Sequence, residues 1–115
     1  MVSVQLRLLM GYQATLEILA DPTRRAIIDR LRSGPRPVGR LAADLLVSRP
    51  AISKHLRLMK EAGVVRMTAD GTRNFYELDL RSLDEVRRYL DGFWDASLQS
   101  FEQAAGSTTR RGPKR

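Results

Sequence analysis

The stretch SRPAISKHLRLMKEAGVV, residues 48–65, predicts one helix with two chemically different faces. Ser48 is a suitable N-cap and Pro50 suits the first turn, while Gly63 ends the predicted helix over residues 49–62. A buried stripe is expected at helical spacing from Ile52, Leu56 and Met59. The other side carries polar and basic residues, namely Arg49, Ser53, Lys54, Arg57 and Lys60.

His55, in the same stretch, is the only histidine in the 115-residue chain, which has no cysteine. Disulfides, thiolate metal sites and a His-rich metal site within one subunit are therefore excluded, and no cofactor is predicted. A catalytic base would need a nucleophile and an orienting group nearby, and the sequence offers neither. Two interpretations of His55 stay open: contact with a phosphate or base edge of nucleic acid, and packing at the rim of the helix.

The chain is strongly basic, with 20 Lys and Arg against 13 Asp and Glu, a net charge of +7 and a pI near 10.8. Residues 21–80 carry +5, residues 81–105 carry −2 and residues 106–115 carry +4. This balance favours an anionic partner such as nucleic acid or a membrane surface. The long helix with the apolar stripe, near the end of the chain, is also acidic, which argues against a membrane partner. With neither a membrane-length apolar run nor a signal peptide, the prediction is a cytoplasmic protein.

Two further helices lie between the helix predicted over residues 4–20 and the opening stretch. The first is predicted within DPTRRAIIDRLRSGP, where Asp21 can cap the start of the helix and Gly34-Pro35 ends it. The second is the short PVGRLAADLLV segment, separated from Ser48 by a tight turn. A short helix, a turn and a second helix with a basic face indicate a helix-turn-helix arrangement.

Two short strands follow that arrangement over residues 64–79. VVRMT and NFYELD flank Asp70-Gly71, a strong turn signal, and so predict a two-stranded wing. Arg73 is expected at its tip and Arg66 along the strand. The wing would thus add two cations beside the basic helix.

The chain ends in a long amphipathic helix, predicted over residues 82–104 and capped by Ser82 with Glu85 in a capping box. Together with the helix over residues 4–20, whose start is open, it predicts a dimer surface, although the stripe around Trp94 also permits a ligand pocket. The predicted dimerisation residues are Leu9, Tyr12, Leu16, Leu83, Val86, Leu90, Phe93, Trp94, Leu98 and Phe101. Residues 1–105 then form one domain, and the basic tail 106–115 is expected to be disordered, either adding attraction to DNA or only aiding solubility.

These motifs, in order, closely resemble the ArsR-type winged helix-turn-helix repressors of bacteria. The match rests on LADPTRR, SRPAISKHL, EAGVV and GTRNFYEL. The resemblance implies homodimers paired through the first and last helices, which bind inverted-repeat operators and release them when an effector binds. Pro37 and Gly39 stand where metal-sensing members have cysteines, and the last helix has no histidine. The resemblance is therefore to a subgroup without either metal site.

The sequence thus predicts a mostly helical α+β winged helix-turn-helix with a two-stranded wing and terminal dimerisation helices. Its predicted function is sequence-specific binding of double-stranded DNA as a homodimeric transcriptional regulator, most simply a repressor, and not an enzyme. The predicted DNA-binding residues are Ser48, Arg49, Pro50, Ser53, Lys54, His55, Arg57, Arg66 and Arg73. Two alternatives are a sequence-indifferent DNA-packaging protein and a winged-helix protein-interaction module. The sequence identifies neither the operator nor the effector.

Overall fold

The computed structural model describes the backbone of residues 4–105 and the side chains of residues 11–104. The predicted disordered tail and the side chain of Leu9 lie outside the described residues. The helices and strands, in chain order, are α1 (Val4–Ala20), α2 (Pro22–Leu31), β1 (Arg36–Pro37), α3 (Val38–Leu45), α4 (Arg49–Glu61), β2 (Val65–Asp70), β3 (Arg73–Leu78) and α5 (Leu80–Ala105).

The predicted N-caps of α2 and α4 are confirmed. A carboxylate oxygen of Asp21 accepts a 3.0 Å hydrogen bond from the backbone N–H of Arg24. The hydroxyl of Ser48 accepts one of 3.3 Å from the N–H of Ala51. Because each cap satisfies a backbone donor that the helix itself leaves free, α2 and α4 begin where the local sequence predicts.

A single core lies where α2, α3 and α4 meet the first strand of the wing. The predicted stripe of α4 is confirmed, since Ile52, Leu56 and Met59 have no exposed surface. Ile27 of α2 and Leu41 of α3 are equally inaccessible and belong to the same cluster. Burial of each such side chain contributes about 1.5–3 kcal/mol, so this cluster fixes how the outer face of α4 is presented.

The wing is the antiparallel pair β2–β3, in which Asp70 lies opposite Arg73. Gly71 and Thr72 form the two-residue turn, and Gly71 has a φ of +66°, a conformation that favours glycine. The sequence did not predict β1, whose Arg36–Pro37 pair with Tyr76 and Phe75 of β3. The sheet order is therefore β1-β3-β2, and the wing is joined to the start of α3.

The start of α5 corrects the predicted cap. The helix begins at Leu80, and a carboxylate oxygen of Asp79 accepts a 3.2 Å bond from the N–H of Arg81. Ser82 instead donates its hydroxyl to the carbonyl of Ala62, at 3.3 Å. The capping-box prediction was wrong because Asp79, one turn earlier, is already in place to satisfy the first backbone donors.

The terminal helices α1 and α5 pack against each other through aromatic rings. The rings of Tyr12 and Tyr89 lie 5.0 Å apart, and Tyr89 meets Phe93 edge-on at the same distance. Among the described side chains of α1, Thr15 and Ile18 are buried in the protomer, whereas Leu16, a predicted dimerisation residue, is exposed.

Candidate nucleic-acid interface

The outward face of α4 is an unbroken row of polar and basic side chains. Within the described residues, the basic side chains of this face take part in no ion pair, in contrast to the arginines of α5, which are paired with acidic side chains. The exposed residues of this face are Arg49, Pro50, Ser53, Lys54, Arg57 and Lys60. Ser48, also exposed, lies at the N-terminal end of the face, where its hydroxyl is occupied in the cap. The structure therefore brings six of the nine predicted DNA-binding residues onto this helix surface and its N-cap: Ser48, Arg49, Pro50, Ser53, Lys54 and Arg57.

One edge of that face opens into a cleft of about 590 Å³ between α4, the first turn of α3 and the wing tip. Its polar and basic lining includes Arg40, Arg49, Ser53, Arg73 and Asn74. Arg40 is partly neutralised, since its Nε lies 3.9 Å from a carboxylate oxygen of Asp44. Arg49 and Arg73 have no such acidic partner among the described residues. The cleft is therefore positively charged, and it joins the helix and the wing into one surface.

Arg49 reaches this cleft by lying over Gly39. A Cβ atom built on Gly39 would be 3.4 Å from both Cζ and Nη2 of Arg49 and 3.8 Å from its Nε. These distances place the guanidinium beside Gly39, at ordinary contact distance from the position of a Cβ. Sequence reasoning treated Gly39 only as a departure from a metal-binding pattern, because this contact joins residues of different helices.

Arg73 is held on the opposite wall. Its Cζ lies 5.3 Å from the ring centroid of Phe75, within the range of a cation–π contact. The two residues are two positions apart on β3, so they lie on the same face of the wing. Phe75 was not predicted as a site residue, although the Arg-x-Phe spacing on a predicted strand is a signal that could have identified it.

Arg66, the other predicted wing contact, is committed to an ion-pair network. Its Nε donates to Glu77 at 2.7 Å, and its Nη1 lies 3.9 Å from a carboxylate oxygen of Asp79. Arg81 donates to Asp79 at 2.6 Å. That hydrogen bond is the main cause that lowers the pKa of Asp79 to about 2. Arg66 therefore lies away from the cleft with its charge largely balanced.

His55 lies on the flank of α4, half-buried, with its Nδ1 inaccessible and without a hydrogen-bond partner in the described part of the chain. The pKa of Asp21 is lowered, first by the hydrogen bond from the Arg24 backbone and also by the charge of His55. The imidazole therefore lies near the cap of α2. This position favours the packing interpretation over contact with a base edge.

Two basic residues of the DPTRR segment, Arg24 and Arg25, lie outside the proposed interface. Arg25 donates to the carbonyl of Leu19 at 2.7 Å, and the Nε of Arg24 lies 3.7 Å from Asp21, so both arginines have partners within the chain. Across the described residues, no group of acidic or imidazole side chains has the arrangement of a metal site. Nor, over the same residues, is any helix long and apolar enough to cross a membrane.

Comparisons with known proteins match this arrangement. A family model described as "Helix-turn-helix domain" matches residues 19–68. The chain is 48% identical to the HTH-type transcriptional regulator Rv2034 of Mycobacterium tuberculosis over 91 residues, 79% of this chain and 85% of the relative. It is 33% identical to the transcriptional repressor SdpR of Bacillus subtilis over 75 residues, 65% and 83% of the two chains. Among solved structures, an ArsR-like transcriptional regulator from Rhodococcus sp. RHA1 superposes with a TM-score of 0.72 at 29% identity, over 86% of this chain and 96% of that one.

Proposed function

Because the chain belongs to the ArsR-type winged helix-turn-helix transcriptional regulators, we propose that it is a homodimeric repressor of an inverted-repeat DNA operator. The observation that carries this proposal is the set of unpaired cations on α4 and the wing tip. These cations form one continuous surface, whereas the arginines of α5 are paired with acidic side chains. Repression is supported by the 33% identical SdpR, which is named a repressor.

We assign the predicted residues different roles on this surface. Arg57 and Ser53 are proposed to face base edges in the major groove, where an arginine can bind a guanine with two hydrogen bonds. Lys54, Arg49 and Arg73 are proposed to contact phosphates, which set the register of the protein on the duplex. Ser48 and Pro50 lie at the start of α4 and are proposed to bring its backbone close to DNA. Arg66 and His55 are proposed to have a secondary, supporting role.

The dimer is proposed to form through the outer part of α5 and the exposed side of α1. Leu83 packs against the core and Val86 is buried within the protomer, whereas the stripe beyond them is open. Trp94 and Phe101 are each 70% exposed and Leu16 is 43% exposed. The remaining open members are Leu90, Phe93 and Leu98. An apolar stripe of this length on one helix is typical of an interface between identical subunits.

Such a dimer would present two copies of α4 to one face of a duplex. Two half-sites about 34–36 Å apart, one turn of DNA, would suit it. We further propose that regulation is independent of metal ions, since the chain has no cysteine and α5 has no histidine. We also propose a cytoplasmic location, where a DNA-binding regulator would meet its operator.

A binding selection from random duplexes at near-physiological salt tests the proposal. We expect enrichment of an inverted repeat whose half-sites are one helical turn apart. Binding without enrichment, with a steep dependence on salt, would favour a DNA-packaging protein instead. Absence of binding to any duplex would favour the protein-interaction module. Repeating the selection with excess chelator should leave the enriched sequence unchanged.

A further inference from the structure

We propose that the cleft between α3, α4 and the wing is a clamp for one phosphate group of the DNA backbone, and that Gly39 leaves the space in which the guanidinium of Arg49 lies. The proposal rests on the proposed function and identifies the chemical group that this part of the surface binds. Its elements are the guanidinium of Arg49 on one wall and that of Arg73 on the other.

The clamp is built from two guanidinium groups that are each supported by a non-ionic contact. The guanidinium of Arg49 lies beside Gly39, and that of Arg73 lies over the ring of Phe75. Neither support neutralises the charge it orients, in contrast to the carboxylates that hold Arg66. Two like charges that line one cleft repel each other unless an anion lies between them. A phosphate suits the cleft because guanidinium groups bind it with paired hydrogen bonds.

The source of the phosphate is argued from position. Ser53 lies on the DNA-facing side of α4 and lines the same cleft, so the cleft opens onto that face. Thr72 and Asn74 of the wing supply further polar groups on the other side. A backbone phosphate would therefore lie between the recognition helix and the wing, where both could bind it at once.

Gly39 is a positioning residue in this arrangement. The guanidinium of Arg49 lies 3.4 Å from the position that a Cβ of Gly39 would take, which is an ordinary contact distance. An alanine at this position therefore fits beside the guanidinium and should favour the helix. A side chain that extends beyond Cβ, such as leucine, must displace the guanidinium.

The test is a series of variants measured for binding to the selected operator and to a scrambled duplex of equal length. Arg49→Ala is expected to raise Kd on the order of tenfold for both duplexes, as loss of a charged hydrogen bond should. The slope of log Kd against log salt should fall by about 1 for each clamp removed. Gly39→Leu should weaken binding, whereas Gly39→Ala should bind like the wild type, and the thermal midpoint of both variants should stay the same or rise. Gly92→Ala is the matched control, since a Cβ on this α5 glycine meets nothing within 4 Å.

A scan of the operator with single neutral methylphosphonate groups locates the phosphate. The wild-type protein should be sensitive at one position per half-site next to the wing, and Arg49→Ala should lose sensitivity at that position alone. A loss confined to the operator would make Arg49 a base contact and overturn the clamp, as would wild-type binding by Gly39→Leu. Stronger competition by inorganic phosphate than by sulfate at equal ionic strength would assign the cleft to a free anion instead. If the wild type binds no duplex, the proposed function fails and the clamp with it, a result distinct from failure of the Gly39 and Arg49 variants alone.

Discussion

Nη2 of Arg81 lies 2.6 Å from Oδ2 of Asp79, a carboxylate whose residue is only 5% exposed. The same carboxylate accepts the N–H of Arg81, and the Asp79 backbone N–H donates to the carbonyl of Val64 at 2.8 Å. The residue therefore joins the end of the wing to the start of α5. Because it is ionised in this position, its contribution to stability depends on pH.

Stability is expected to fall in acid through Asp79. Its pKa is lowered from 3.8 to about 2 in the folded chain, so the ionised form stabilises the fold above the unfolded value. That contribution is lost as the pH falls from about 4 through about 2. Urea unfolding at several pH values should show a smaller loss for Asp79→Asn than for the wild type. Asp91→Asn, which removes a half-exposed carboxylate of α5, is the control and should behave like the wild type in this window.

Arg57 and Arg73 should differ in the kind of binding they lose. Arg57→Ala is expected to relax one operator position, with about 1–3 kcal/mol of discrimination lost per half-site. Arg73→Ala should weaken binding to all duplexes alike, because a phosphate contact carries no sequence information. Competition between the operator and single-base variants measures the difference. If Arg57→Ala leaves every preference intact, the assignment of base edges to α4 is wrong.

A charge in the open stripe of α5 should dissociate the dimer. Trp94→Glu places a carboxylate on a side chain that is 70% exposed in the protomer, so the fold should survive while the proposed interface does not. Sedimentation equilibrium should report a monomer, and operator affinity should fall because two half-sites can no longer be bound together. Gln99→Glu adds the same charge on the opposite side of the helix and should remain dimeric. If the Trp94→Glu protein is still a dimer, the subunits associate through another surface.

Replacing Leu46, in the turn between α3 and α4, with glycine should stabilise the fold. Leu46 is 93% exposed and has a φ of +56°, a left-handed conformation that costs an L-residue about 1–2 kcal/mol. Leu46→Gly removes this strain but adds freedom to the unfolded chain, so a net gain of about 0.5–1 kcal/mol is expected. Equilibrium unfolding in urea measures it. Leu46→Ala keeps the strained backbone and should change little, whereas an equal gain in both variants would point to the exposed side chain as the cause.

Local signals predicted the helix-turn-helix well. The caps at Asp21 and Ser48 and the stripe of α4 depend on residues within one or two turns, so they can be recognised in the sequence. The strand β1 could not be, because two residues show no periodicity and depend wholly on pairing with β3. The predicted cap at Ser82 failed for a related reason, since Asp79 competes for the same helix start.

The sequence predicted which basic side chains of α4 are exposed, but it did not predict the shape of the cleft. The pattern of α4 identifies Arg49 as exposed, yet its contact with Gly39 and the cleft shared with Arg73 require the packing of α3 and the wing. The contact between Tyr12 of α1 and Tyr89 of α5 likewise joins residues that are far apart in the sequence. Side chains that meet across distant elements leave no local pattern to detect.

The two faces of α4 share no side chain. Ile52, Leu56 and Met59 are wholly inside, whereas Lys54 and Arg57 are on the outer surface. Mutations that change which operator the protein binds can therefore accumulate without destabilising the fold. Core mutations can likewise be compensated without changing which operator it binds. After a gene duplication, this separation lets one copy acquire a new target while both copies keep the same scaffold.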